Sequence, residues 1–249
     1  MRPAADVEQA FDLTDAGLTQ VEVAGRLGVS QTTVSRWLRA GREAVLASPG
    51  RRVTCPRGDL PDRPYAYLLG QYLGDGSIVH TRRGVYRLFI TACADYPDIV
   101  EECRAAIAAV LPHNAIGQRT RSGAIDVTSY STHWPCLFPQ HGPGPKHRRP
   151  IVLEPWQEAI ALGTAPDAFV RGLVHSDGCR TVNRVRKPDG RAYEYVRYMF
   201  SNRSDDIRAL FVAGCNALGV ASRPMGRYGV SVARGDDVRR LDAVVGPKS

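Results

Sequence analysis

Lysine is nearly missing from this chain. Of 33 basic residues only Lys146, Lys187 and Lys248 are lysine, and the rest are arginine. With abundant alanine, glycine and proline, this bias reads as codon usage in a GC-rich genome, and no function is drawn from it. Long apolar runs are also missing. None approaches ~18 residues, which argues against a membrane-spanning helix. The opening Met1-Arg-Pro-Ala-Ala-Asp-Val-Glu has no apolar signal core, so a cytoplasmic location is expected. No Cys-x-x-Cys pair occurs among Cys55, Cys93, Cys103, Cys136, Cys179 and Cys215. That excludes a zinc framework and a small disulfide scaffold, and predicts buried free thiols in a reducing compartment.

A chain of 249 residues has room for one large domain or two to three small ones. Its net charge of +8 favours polyanions such as nucleic acid, although that signal alone is weak.

Residues Leu18 to Leu38 carry a two-helix pattern. Thr19 suits the cap of a helix with Val23, Ala24 and Leu27 on its apolar side, and Gly28 suits a tight turn. Ser30 suits the cap of a second helix with Val34, Trp37 and Leu38 inward. Gln31, Thr32, Ser35, Arg36 and Arg39 are left outside. No acidic residue lies between Arg26 and Arg42, so phosphate contact would be unopposed. The pattern resembles a DNA-binding helix-turn-helix; the bland alternative is a helical hairpin that only packs. Residues 1–46 form this domain, and the Pro-, Gly- and Arg-rich residues 47–61 read as a linker.

Two later segments repeat each other. Pro64-Tyr-Ala-Tyr-Leu-Leu-Gly-Gln-Tyr-Leu-Gly-Asp75-Gly76 and Pro166-Asp-Ala-Phe-Val-Arg-Gly-Leu-Val-His-Ser-Asp177-Gly178 stand at an offset of 102 residues (177 − 75). Each predicts a helix of about three turns that delivers a carboxylate at its C-terminal tip. Asp62 and Thr164 are the expected N-caps, with proline in the first turn. Gly76 and Gly178 are the expected left-handed stops. Gly70 and Gly74 lie four apart, as do Gly172 and Ser176, so the two helices can pack backbone to backbone. Such packing would set Asp75 beside Asp177. Two carboxylates at helix C-termini repel each other and the helix dipoles, and a divalent cation would remove both penalties.

The repeat continues. Tyr86–Thr91 and Val196–Ser201 match as alternating strands, with Arg87 and Arg197 in equivalent places. Helices of about 95–111 and 204–218 follow, then strands 115–119 with 124–130, and 221–225 with 228–234. A helix over 156–162 closes the first half and one over 236–245 the second. The fold class is α+β: an all-α helix-turn-helix, then two pseudo-symmetric αββαββα halves, residues 62–163 and 164–249.

Leu68-Leu-Gly-Gln-Tyr-Leu-Gly-Asp-Gly76 and Val170-Arg-Gly-Leu-Val-His-Ser-Asp-Gly178 resemble the two motifs of a LAGLIDADG homing endonuclease. The resemblance covers residues 61 to about 246. With the helix-turn-helix in front, the whole chain is also similar to bacterial regulators that carry a LAGLIDADG-like domain. The family implies a monomer with an internal pseudo-dimer, whose two sheets form a saddle on double-stranded DNA in the nucleoid. It implies Mg²⁺ or Mn²⁺ held by Asp75 and Asp177, with Gly74 and Ser176 at the same centre, for phosphodiester hydrolysis on both strands. It implies DNA contacts from Arg87 and Arg197, joined by Arg82, Arg119, Arg184 and Arg186. Active members usually add a basic side chain, often lysine, near the metal. None lies on the expected strands here, and Gln118, His80 or an arginine are the candidate substitutes.

The main expectation is metal-dependent double-strand cleavage, and the alternative is a regulator that binds DNA without cutting. A transposase fits less well, because its acids would sit at a central parallel sheet. The segment His141-Gly-Pro-Gly-Pro-Lys-His147-Arg-Arg-Pro150 reads as a solvated or DNA-touching loop. With Cys136 it fits no zinc spacing. His175 reads as a packed helix residue, and Tyr193 and Tyr195 as DNA-facing or sheet-covering.

Overall fold

The computed structural model describes residues 4–47, 55–81, 84–186, 190–246 and 248. The chain divides into two compact units, the second beginning at Cys55.

In the first unit, helices α1 (Ala4–Asp15), α2 (Gln20–Leu27), α3 (Gln31–Ala40) and α4 (Arg42–Ala47) surround a small core of Val7, Ala10, Phe11, Val23, Ala24, Val34 and Trp37. The α2–α3 turn is built by local chemistry. Thr19 and Glu22 form a reciprocal capping box, Gly28 takes φ 60°, and Ser30 Oγ accepts from the Thr33 amide at 3.2 Å. Helices α1 and α4 lie beyond the two-helix reading. Arg42 fastens α4 to α1 through Asp12 and Asp15, each at 2.9 Å.

The second unit holds two matched halves. In the first, α5 (Asp62–Asp75) leads into β1 (Gly76–His80) and β2 (Tyr86–Cys93), then α6 (Pro97–Val110), β3 (Ile116–Arg121) and β4 (Ala124–Ser131). Short helices α7 (Trp134–Leu137) and α8 (Pro155–Glu158) follow. The helix expected over 156–162 is instead α8 continued by a π-turn segment, Ala159–Thr164. In the second half, α9 (Pro166–Asp177), β5 (Gly178–Arg186), β6 (Ala192–Ser201), α10 (Asp205–Ala217), β7 (Arg223–Met225), β8 (Gly229–Val232) and α11 (Gly235–Val245) repeat the order. Both sheets are antiparallel and share one topology, β1-β2-β4-β3 and β5-β6-β8-β7. One core, which includes Tyr65, Leu69, Leu73, Trp134, Phe169, Leu173 and Phe200, lies between the helices and the inner sheet faces.

Helices α5 and α9 pack at backbone distance. A Cβ on Gly70 would lie 2.6 Å from the Phe169 carbonyl oxygen and 2.7 Å from the Leu173 nitrogen. A Cβ on Gly172 would overlap the Tyr67 carbonyl oxygen. Backbone cannot swing aside as a side chain can. Gly172→Ala is therefore expected to destabilise the protein by ~3 kcal/mol or more, read from urea unfolding. A loss below 1 kcal/mol would contradict this packing.

Three local expectations are corrected. Asp62 and Thr164 do not cap their helices. They face each other across the pair, with Thr164 Oγ1 donating to Asp62 Oδ2 at 2.6 Å, while Pro61 and Ala165 take the cap positions. Gly76 and Gly178 are extended (φ −88° and −110°), not left-handed, because each helix runs straight into a strand. Glycine is needed there for space: a Cβ would lie 2.5 Å from Tyr72 Cα or 2.8 Å from Val174 Cα. The cysteines are not all buried free thiols either. Cys55 and Cys136, 81 residues apart, form a disulfide, and Cys93 and Cys179 are exposed. Among the described residues no helix is long and apolar enough to cross a membrane.

Candidate functional site

The tips of α5 and α9 bring two carboxylates together. A Cβ on Gly74 would fall on the Ser176 side chain and within 3.0 Å of Asp177 Oδ2. Ser176 Oγ turns back onto its own helix, donating to Gly172 O (3.1 Å) and Leu173 O (3.0 Å). Asp177 is half-buried and accepts from Asn202 Nδ2 at 2.6 Å. Asp75 keeps a solvent-facing edge, and Ala92 stands where an amide matched to Asn202 would be (202 − 110). Desolvation and the charge of Asp177 push Asp75 up to about 6. Desolvation also raises Asp177, against the Asn202 hydrogen bond. The site thus holds two acids that resist ionising together.

Two lysines cover these tips. Lys146 Nζ donates to the carbonyl oxygens of Tyr72, Leu73 and Gly74, the last two at 3.0 Å, and lies 4.9 Å above the Tyr72 ring. Lys248 Nζ donates to His175 O at 3.1 Å and Gly178 O at 2.5 Å. Each ammonium thus neutralises the negative end of its own half's motif helix. The two lysines are also offset by 102 residues (248 − 146), as the acids are. Burial lowers Lys146 to about 8 against the pull of Asp177 and Asp75, and burial lowers Lys248 as well.

These are the basic groups that a search along the strands misses, since Lys146 opens a one-turn 3-10 helix and Lys248 follows α11. Their shared offset is the signal that could have found them. The loop around Lys146 is not simply solvated. Arg149 gathers it through the carbonyls of Gln140 (3.1 Å) and Gly144 (2.6 Å). Gly74, expected at the metal, already offers its carbonyl to Lys146. Cys136 belongs to the disulfide, so it is no metal ligand. His80 and Gln118 lie on the helix-side strand faces, away from Arg87 and Arg119.

A cleft of about 430 Å³ opens beside the tips, lined in part by Ser77, Lys146, His147, Asp177, Asn202 and Arg203. The outer sheet faces extend from it. Strand parity turns Leu88, Ile90, Tyr198 and Phe200 into the core, and Arg87, Arg119, Arg121, Arg197 and Arg223 outward. The Nε atoms of Arg87 and Arg197 are buried and lack a hydrogen-bond partner among the described residues. Tyr193 and Tyr195 stack on the same outer face, ring centres 6.1 Å apart.

Arg184 and Arg186 differ from the expectation. They share the helix-side face with Arg180, opposite Arg197, and Arg184 pairs with Glu194 at 2.6 Å. A nine-residue strand alternates faces, so arginines at odd separations from Thr181 cannot join its outer face. Arg82 lies outside the described residues.

In the first unit, Thr32, Ser35, Arg36 and Arg39 line a shallow concavity of about 360 Å³ with Ser30 and Thr33. Gln31, at the start of α3, is exposed and reaches Gln20 Oε1 at 3.4 Å.

A family model described as a homeodomain-like domain matches residues 6–45. The chain matches no curated protein at a significant level. Among solved structures it is similar to the homing endonuclease I-DmoI in complex with DNA and Ca, at 15% identity over 75% of this chain and 91% of that one, TM-score 0.49. It is similar to the N-terminal LAGLIDADG domain of DUF199/WhiA, at 12% identity over 80% and 86%, TM-score 0.48. A variant of I-SmaMI is also similar, at 10% identity over 74% and 84%, TM-score 0.46. The chain joins a homeodomain-like N-terminal region to two matched αββαββα halves.

Proposed function

We propose that this protein is a DNA endonuclease of the LAGLIDADG type, acting as a monomer on double-stranded DNA with its helix-turn-helix as a second DNA-reading module. The observation that carries the proposal is the convergence of Asp75 and Asp177 beneath two lysines at the same internal offset.

The residues fit a hard divalent cation. Two carboxylates with raised pKa values favour a charge of +2 between them, and Mg²⁺ needs only one or two protein carboxylates because it keeps much of its water. Mg²⁺ or Mn²⁺ bound there would supply Lewis-acid and nucleophile-generating chemistry for phosphodiester hydrolysis. Asn202 would hold the Asp177 carboxylate in one orientation. Lys146 and Lys248 would offset negative charge as it grows on the phosphate. At about 8, Lys146 can also hold or release a proton near neutral pH. Arg87 and Arg197 stand on the outer sheet faces, where their positive charge suits DNA phosphates.

The test begins by selecting bound sequences from genomic fragments, then incubating them with protein and Mg²⁺ or Mn²⁺. Double-strand cuts that require the metal support the proposal. Tight, sequence-specific binding without cutting in either metal overturns it in favour of a silent regulator. For the helix-turn-helix, Arg36→Ala and Arg39→Ala are each expected to weaken binding on all sequences and lower the salt slope by about 1. An unchanged slope would remove both from the phosphate contacts.

A further inference from the structure

The two lysines occupy matched positions but are held by unrelated devices. Lys146 sits on a loop gathered by Arg149. Lys248 follows α11, and the end of α11 is tied to α9 by a partly buried polar cluster. His175 Nε2 lies 3.1 Å from the Val245 carbonyl oxygen. A carbonyl only accepts, so this nitrogen carries the proton. The other ring nitrogen then accepts from the Tyr67 hydroxyl at 3.2 Å, and Tyr67 accepts from Gln71 Nε2 at 2.8 Å.

One turn earlier on α9, the Arg171 guanidinium donates to the same Val245 oxygen. Glu102 on α6 holds it flat through two bonds of 2.7 and 2.9 Å. Beyond Val245 the chain turns at Gly246, with φ 67°, where a Cβ would lie 2.8 Å from Arg171 Nη1. Lys248 then reaches back to the carbonyl of His175 itself.

Packing alone does not call for histidine here. The matched position in α5 is Leu73, fully buried (175 − 102). A buried imidazole instead costs desolvation, and it is repaid only where its hydrogen bonds are made. We propose that His175, with Arg171 and Glu102, is a positioning latch: it fixes the end of α11 and so sets Lys248 over the tip of α9. The first half needs no such residue, because its lysine has its own loop. The value of the latch to cleavage rests on the function proposed above, but the latch itself does not.

The test compares wild type, His175→Leu and His175→Gln in the full chain. Leucine copies the other half's residue and keeps the core apolar, while glutamine retains a donor toward Val245. Each protein is treated briefly with an amine-reactive succinimidyl ester, and acylation of Lys248 and Lys146 is measured by mass spectrometry alongside the unfolding temperature. The latch predicts that His175→Leu raises Lys248 acylation several-fold while Lys146 stays at its wild-type level, and that His175→Gln restores protection. Unchanged Lys248 acylation in His175→Leu overturns the latch. So does a parallel rise at both lysines, which would mean general loosening. This readout needs no cleavage, so a failed latch is distinguishable from a failed nuclease. If wild type cuts DNA, His175→Leu should also slow one strand selectively, and equal slowing of both strands would count against the latch.

Discussion

Asp75→Asn and Asp177→Asn should each abolish metal-dependent cutting, lowering its rate on the order of 10³-fold or more, while DNA affinity stays close to wild type. Either change removes one of the two carboxylates of the proposed centre. Asparagine keeps the shape and the packing around Gly74 and Ser176. Loss of DNA binding in proportion to loss of cutting would instead assign the acids to folding.

The same substitution has a stability signature. Asp75 is raised from its ordinary 3.8 to about 6, so the native state favours the protonated acid. A raised folded-state pKa contributes stability that is complete below the unfolded value and lost as pH rises through the folded one. Metal-free wild type should therefore lose stability between about pH 4 and pH 6 through this group, and Asp75→Asn should not. The side chain is partly open to solvent, so the difference at neutral pH is about 1 kcal/mol after screening is allowed for. Melting curves in chelator across that range check it. Parallel pH profiles for the two proteins would show that Asp75 is not under electrostatic load.

The second large effect concerns the lysines. Lys146→Met and Lys248→Met should each reduce cutting about 10²- to 10³-fold. DNA affinity should change less than about tenfold, since each variant removes a single positive charge among many arginines. Methionine preserves most of the buried stem, and for Lys146 it removes the charge whose desolvation lowers the pKa to about 8. Each lysine covers the tip of its own half's helix, so the variants should accumulate nicks in opposite strands, resolved on denaturing gels with each strand labelled in turn. Equal slowing of both strands by both variants would contradict a division of labour between the halves.

The paired architecture was legible because it rests on periodicity. Alternation in Tyr86–Thr91 and Val196–Ser201 and the Pro-to-Asp-Gly repeat are local patterns, and they lead to the same two-half topology that the sheets adopt. The helix-turn-helix was legible from Thr19, Gly28 and Ser30, whose roles are set within a few residues. Features that depend on distant partners were not. Asp62 and Thr164 look like caps until the helices that carry them are adjacent, at which point each is the other's partner. Cys55 and Cys136 have no spacing rule to link them across 81 residues. Lys146 on its one-turn 3-10 helix and Lys248 beyond α11 lie outside any hydrophobic period that would draw attention to them. Arg184 and Arg186 are the opposite case: counting faces along β5 from Gly178 was enough to set them on the helix side.

If Asp75 and Asp177 form one divalent-metal centre, the metal-free protein should take up Mn²⁺ there, followed by electron paramagnetic resonance. Wild type should bind Mn²⁺ with an affinity that falls as pH drops below about 6, where Asp75 takes up its proton. Mg²⁺ should compete, and the Asp75→Asn, Asp177→Asn double variant should lose the site. Mn²⁺ binding of equal strength in wild type and the double variant would rule that centre out.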